Sequence, residues 1–422
     1  MRFVRQRAPR KTHRIKPVGA AARRYGRVSL GALLPLSLAA LVLSGCGLAL
    51  PGLQQDPSRT ISARAADTPR VRLFYRNKAQ LDRLVGLGMD IHTVQPGYVE
   101  GFLDDQTRLY AASQGLRAVP LPGSLTESLP AGYQSYEDLT KNLKGLAATY
   151  PKLATLEDVG DSWEKKQGKA SREIWALKLT SRPDVEQPAA LFTGGHHARE
   201  LAPVEITYRL AKMLLEGYGK DPQLTRFLDT REVWIVPMVN PDGRSRVEDG
   251  EMFWRKNVHP FTGGVGVDLN RNYDAYWEQG DASPRKETFR GEAPFSEPET
   301  QAVRNLFAKR KFGTWMDYHA YGNATIWPPG YTRDLSPDDA VFREIGKKMT
   351  ARNGYSADTI ARTFYLSYGS GLDWAYTRFG TLGFCTEMGT SFHPTFREVD
   401  KLFDEQKDGA LLLIEAADRR LK

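Results

Sequence analysis

Gly194-Gly195-His196-His197-Ala198-Arg199-Glu200 follows the apolar run Pro188-Ala189-Ala190-Leu191-Phe192-Thr193. The run has the length and composition of a buried strand, and loops at strand ends commonly display ligands. His197 and Glu200 stand three apart, so an imidazole nitrogen and a carboxylate oxygen can grip one zinc ion. A lone third ligand from farther along then leaves a position open for catalysis. His196 is the rival of His197, but adjacent residues at a strand end point apart, so one of the two binds. By itself His-x-x-Glu is a weak signal, and its weight comes from the segments that follow it.

A third ligand belongs at another strand end. Thr314-Trp315-Met316-Asp317-Tyr318-His319 is an apolar run that delivers His319 to the turn Ala320-Tyr321-Gly322. A histidine there is, taken alone, more often a satisfied core residue than a ligand. Between the two ligand segments lie Phe253-Trp254-Arg255-Lys256-Asn257 and Val267-Asp268-Leu269-Asn270-Arg271-Asn272. After them come Tyr365-Leu366-Ser367-Tyr368-Gly369-Ser370-Gly371-Leu372-Asp373-Trp374 and Phe384-Cys385-Thr386-Glu387-Met388. Singly, each has a bland account: a solvated arginine, a packing tyrosine, a strand-end salt bridge for Glu387.

In this order and at roughly these gaps, the segments resemble the zinc carboxypeptidases of the carboxypeptidase A type, including their bacterial carboxypeptidase T branch. The resemblance spans about residues 133–420, with Pro294-Phe295-Ser296-Glu297-Pro298-Glu299-Thr300 as a further anchor. It implies an α/β fold with a mixed central β-sheet flanked by helices on both faces. It implies one zinc ion held by His197, Glu200 and His319, with Glu387 as general base and Arg255 facing the developing oxyanion. Asn270, Arg271 and Tyr365 would hold the substrate's terminal carboxylate, and Arg199 would help bind the substrate chain. Asp268 matches the family's carboxylate partner of the first histidine ligand.

The chemistry suits these roles. An arginine fork can make two parallel bonds to a carboxylate, and a free carboxylate is what distinguishes a chain end from an internal bond. The resemblance also puts Leu372 at the position that sets the preferred terminal side chain, with Cys385 lining the same pocket. An apolar residue there implies apolar or aromatic C-terminal residues, whereas an aspartate would select Lys or Arg. A buried, inert thiol is the other account of Cys385. Three departures stand out. His196 replaces a commonly apolar residue, Tyr368-Gly369-Ser370-Gly371 replaces a Ser-Gly-Gly pattern, and the disulfide of the animal enzymes has no counterpart.

The chain has 422 residues and a net charge of +9, but the charge is segregated. Residues 1–46 carry ten Lys or Arg and no acid, which leaves 49 basic against 50 acidic residues in the rest. Nucleic-acid binding therefore loses its main support. A basic segment to Arg27 and an apolar core over residues 30–43 read as an export signal, the core too short and too broken by Pro35 for a membrane-spanning helix. Leu43-Ser44-Gly45-Cys46 resembles the bacterial lipoprotein box, in which cleavage exposes a cysteine that carries a lipid. A plain secretory signal is the alternative, and Arg23-Arg24 hints at a twin-arginine route. Cys385 is the other cysteine, so the mature chain has no internal disulfide.

The domain plan that follows is a signal peptide (1–45), a tether (46–66), a small β/α module (67–122), a linker (123–132) and the catalytic domain (133–420). In the module, strands are expected at 71–75 and 98–103, and helices at 79–88 and 105–115. The catalytic part alternates helices and strands, with helices at 136–150 and 400–419. Ser296-Glu297-Pro298-Glu299 reads as a capping box opening a helix to about 311. The module is expected to be an accessory or inhibitory domain, either a propeptide that shields the site or a permanent part of the protein. The function expected is an exported, lipid-anchored zinc carboxypeptidase acting on peptides with a free C-terminus. The alternatives are a cell-wall stem-peptide peptidase and a peptide-binding lipoprotein without catalysis.

Overall fold

The computed structural model describes residues 70–419 apart from 88, 96 and 122–128. The signal, the tether and the lipidation site expected at Cys46 lie outside the described residues.

From Tyr133 onward the fold is built on eight strands: β5 (Ala154–Asp161), β6 (Glu173–Leu179), β7 (Ala189–Thr193), β8 (Glu232–Val236), β11 (Phe312–His319), β12 (Ala324–Trp327), β13 (Ser356–Thr359) and β14 (Leu382–Glu387). They pair in the order β13-β12-β14-β11-β7-β8-β6-β5. The central strands β14, β11, β7 and β8 run parallel, and antiparallel pairings toward both edges make the sheet mixed. Ala-Ala-Leu-Phe-Thr in β7 and Glu-Val-Trp-Ile-Val in β8 are buried at every residue. That is the pattern of strands covered on both faces.

Side chains alternate between two cores, as the period of two demands. Phe192, Ile235, Met316 and Phe384 meet the helices Tyr136–Thr149, Ala202–Gly217 and Phe396–Glu415. Leu191, Trp234 and Trp315 meet the helices Pro298–Lys309 and Gly371–Phe379 on the other face. The expected α/β sandwich is present.

One local expectation is corrected. The helix at 298–309 opens with Pro298 in its first turn, but its N-cap is Glu297 and no side chain caps it. Ser296 instead gives its hydroxyl to Glu297 (2.7 Å), and Glu297 accepts from Asn257 Nδ2 (2.7 Å). Glu299 accepts from the Trp163 N–H at 2.8 Å. These donors, rather than the helix end, occupy the two carboxyl groups. Full capping boxes form instead at Ser135/Asp138 and Thr395/Glu398, so the last helix starts at Phe396 rather than at 400.

The module is a four-stranded antiparallel sheet, β2-β3-β1-β4, of β1 (Arg70–Phe74), β2 (Asp90–Gln95), β3 (Tyr98–Phe102) and β4 (Ala118–Pro120). Two helices, Lys78–Gly86 and Asp105–Ser113, pack Leu84 and Ala111 against Val71, Leu73 and Val99. β2 was not among the expected strands. A short hairpin, β9 (Pro260–Phe261) and β10 (Gly264–Val265), completes the strands among the described residues.

Candidate metal centre and substrate cleft

Parallel strands end on one edge of the sheet, and that edge carries the site. The loop after β7 holds residues 194–200, β11 ends at His319 and β14 ends at Glu387, in register with His319. The glycine pair makes the loop possible. A Cβ on Gly194 would stand 2.8 Å from the Pro203 carbonyl oxygen, and Gly195 has φ +67°.

His197, Glu200 and His319 are brought together, all buried. His197 Nδ1 lies 2.7 Å from Glu200 Oε1, His319 Nδ1 lies 2.9 Å from Glu200 Oε2, and the two Nδ1 atoms are 3.1 Å apart. The other nitrogen of each ring faces a carboxylate that can only accept: Asp268 Oδ1 for His197 Nε2 (3.1 Å) and Asp317 Oδ2 for His319 Nε2 (2.8 Å). Each Nε2 therefore carries the proton, and both Nδ1 lone pairs face the same point as the Glu200 carboxylate. Lone pairs at that separation repel unless a cation lies among them. Ligands of a tetrahedral zinc at about 2.0–2.2 Å stand roughly 3.4 Å from one another, so the donor set fits one zinc ion. His196 is not part of it. Its ring points away, with Nδ1 on Asp317 Oδ1 (2.9 Å) and Nε2 on the Tyr273 hydroxyl (2.8 Å).

Asp268 also joins Arg255 to the centre. Its Oδ2 accepts from Arg255 Nε (3.1 Å) and Nη2 (2.8 Å), while Arg255 Nη1 stands 3.7 Å from Glu200. Burial opposes the Asp268 charge, but Arg255, His197 and Arg271 outweigh it and hold the carboxyl well below its ordinary range. Glu387 is the opposite case. Desolvation, with Glu200 and Asp317 nearby, pushes its carboxyl up to about 7 despite His319 and Arg255.

Arg271 donates Nη2 to the Tyr365 hydroxyl at 3.3 Å and Nη1 to the Asn270 carbonyl at 2.7 Å. Asn270 Oδ1 accepts from the Gly371 N–H at 3.0 Å, which turns its amide nitrogen toward His319. Gly369 explains part of the altered glycine pattern: it has φ +73°, and a Cβ there would strike the Arg271 carbonyl oxygen at 2.1 Å. These residues line one cavity of about 650 Å³ with His197, Glu200, His319, Arg255, Arg199 and Glu387. Ile326, Ile360, Phe364, Leu372 and Cys385 form an apolar part of its wall. Asp373, beside Leu372, is turned away. It accepts from the Gly330 N–H (3.0 Å) and the Ser370 hydroxyl (2.8 Å), and burial pushes its carboxyl up to about 6.

The module supplies walls that the sequence did not reveal. Leu81, Val85, Met89, Asp90 and Ile91 line the same cavity. Asp90 Oδ1 accepts from Arg199 Nη1 at 2.8 Å, so the arginine expected to meet the substrate chain is paired with the module. Next to it, His92 stacks on Phe253 with ring centres 4.2 Å apart and bonds Asp90 Oδ2 through Nε2 (3.1 Å). Lys286 reaches back to the Leu87 carbonyl at 2.7 Å. Motif reading could not find these partners, because nothing in residues 78–95 repeats a known pattern.

Comparisons with known proteins agree with this geometry. The zinc carboxypeptidase family model matches residues 139–408. A zinc carboxypeptidase of Saccharothrix mutabilis subsp. capreolus is 28% identical, over 84% of this chain and 86% of its own. Carboxypeptidase B of Astacus astacus is 31% identical, over 58% of this chain and 81% of its own. Among solved structures, carboxypeptidase A of Helicoverpa armigera superposes with a TM-score of 0.71 at 20% identity, covering 83% of this chain and 97% of that one. That share exceeds the part from Tyr133 onward, so the likeness of fold extends into the module. With a matching family model over most of its length and a donor set that fits the metal, this chain belongs to the zinc carboxypeptidase family and is a zinc-dependent metallocarboxypeptidase.

Proposed function

We propose that this metallocarboxypeptidase is of the bacterial carboxypeptidase T branch, is exported and lipid-anchored at Cys46, and removes apolar or aromatic residues from the free C-termini of peptides. The observation that carries the specificity is the single cavity that joins Arg271 and Tyr365, the metal donors and the apolar wall at Leu372. Export and anchoring are supported by the segregated charge and by Leu43-Ser44-Gly45-Cys46.

In this reading Asn270, Arg271 and Tyr365 grip the terminal carboxylate, which sets which peptide bond reaches His197, Glu200 and His319. Zinc held by those three supplies Lewis acidity to the scissile carbonyl and acidity to the attacking water. Glu387, kept near neutrality by burial, takes the water's proton and returns it to the leaving amine. Arg255, fixed by two bonds to Asp268, holds positive charge where the carbonyl oxygen turns negative. Leu372 and Cys385 receive the terminal side chain. Arg199, once free of Asp90, meets the chain on the other side of the scissile bond.

The same reading makes residues 67–122 an inhibitory or accessory cover, supported by the Asp90 grip on Arg199 and by the module residues that line the cavity. Blocked dipeptides ending in Phe, Leu, Lys, Arg and Glu test the specificity. Faster release of Phe and Leu supports it, and faster release of Lys or Arg removes the assignment of Leu372.

A further inference from the structure

The metal donors leave one buried polar chain unexplained. Asp317 is fully buried two residues before the end of β11, and each of its oxygens is engaged. Oδ2 accepts from His319 Nε2 (2.8 Å), while Oδ1 accepts from His196 Nδ1 (2.9 Å) and from the Thr193 hydroxyl (2.6 Å). Behind them the Tyr273 hydroxyl meets His196 Nε2 at 2.8 Å, and Trp315 Nε1 donates to the Thr193 hydroxyl at 2.7 Å.

One proton assignment satisfies Asp317, His196, Thr193 and Tyr273 together. A carboxylate only accepts, so His196 must donate from Nδ1. Its Nε2 is then the acceptor, and Tyr273 gives its hydroxyl proton there. Thr193 donates to Asp317 and accepts from Trp315. His319 donates from Nε2, which leaves its Nδ1 lone pair facing His197 Nδ1 and Glu200. Tyr273, Thr193, Trp315, His196 and Asp317 are all at most 1% exposed, so these bonds are made out of contact with bulk water. His196, Asp317 and His319 also lie close enough together to suggest a second ion. Their atoms are already spent in these bonds, and the hydrogen-bond chain accounts for them.

We propose that Asp317, oriented by His196 and Tyr273, is a positioning residue that locks His319 in the tautomer and ring orientation that bind zinc. The inference rests on His319 being a ligand. It gives a role to His196, the residue whose place beside the first ligand has no other explanation. Asp317 then does for the third ligand what Asp268 does for the first, so each imidazole is oriented by its own carboxylate.

The test is zinc affinity, measured on the full chain by competition with a chromogenic chelator, for wild type, His319→Ala, Asp317→Asn, His196→Leu and Tyr273→Phe. Asp317→Asn keeps the shape but presents an N–H where an acceptor is needed, and the expected loss is about 10–100-fold. His196→Leu should lose ~10-fold and Tyr273→Phe less, following the order of the chain. In zinc-loaded wild type the His319 Nε2–H should also give a slowly exchanging NMR signal that Asp317→Asn abolishes. A merely structural role would lower thermal stability without changing either readout in the folded protein. If His319→Ala keeps wild-type affinity, the ligand assignment fails. If His319→Ala loses zinc while Asp317→Asn binds like wild type, the positioning role alone is overturned. Should Asp317→Asn fail to fold, His196→Leu decides in its place, and unchanged affinity there overturns the role.

Discussion

His319 and Glu387 are register partners at the C-terminal ends of the parallel strands β11 and β14. Neighbouring strands stand about 4.8 Å apart, so one rung presents an imidazole of the candidate metal donor set and a carboxylate to the same small volume. Glu387→Gln keeps the shape and removes the proton acceptor. Its kcat should fall about 10²–10⁴-fold, with KM and zinc content nearly unchanged. Retention of a tenth of wild-type kcat would take Glu387 out of the chemistry.

Arg271→Gln removes the charged fork from the cleft while Tyr365 and Asn270 remain. Truncating one partner of a charged, hydrogen-bonded pair costs about 2–5 kcal/mol. The loss should appear in kcat/KM for peptides with a free C-terminus and leave zinc affinity unchanged. Equal losses on C-terminally amidated peptides would mean that Arg271 does not read the carboxylate.

Leu372→Asp places a carboxylate in the apolar wall beside Cys385, Ile326 and Ile360. Release of terminal Phe and Leu should fall, and release of Lys and Arg should rise above it. A wild-type order of preference in this variant would move the pocket elsewhere in the cleft.

Asp90→Ala leaves Arg199 without its module partner. If the module covers the cleft, kcat/KM on peptides of five or more residues should increase, with little change on blocked dipeptides. No difference on the longer peptides would make the module an accessory domain that does not restrict the site.

Glu299 gives a stability signature of its own. It is fully buried, and desolvation, with Glu297 and Asp242 adding like charge, pushes its carboxyl up to about 8 from an ordinary 4.5. A raised carboxyl pKa means that the folded state holds the proton more tightly. Its contribution is full below pH 4.5 and is lost as pH rises through 8. From this group alone the slope is at most about 1.4 kcal/mol per pH unit. Urea unfolding at pH 5 and pH 9 should show a smaller loss for Glu299→Gln than for wild type, and equal losses would remove Glu299 as the source.

The site was more legible than its surroundings for a physical reason. His319 and Glu387 close β11 and β14, and His197 and Glu200 lie in the loop after β7, where a long apolar run announces the strand and the polar residues after it stand out; Arg255 and Asp268 lie in loops and were legible through the family resemblance alone. Asp317 lies inside such a run and so passed as part of a strand, although a carboxylate in a fully buried strand is itself the signal of a partner. β2 went unread because Asp90-Ile91-His92-Thr93-Val94-Gln95 spends its polar positions on the catalytic part, as with Asp90 and His92. Ser296 looked like a cap because sequence shows the spacing of a capping box but not the buried donors that compete for it.

The central claim is zinc-dependent release of C-terminal residues. It is tested most directly by assaying the purified protein on blocked dipeptides ending in Phe or Leu, before and after zinc is stripped by a chelator and restored. The account predicts release that disappears with the metal and returns with one zinc equivalent. Release that survives complete removal of zinc, or none from zinc-loaded protein even with the Asp90→Ala exchange, would contradict it.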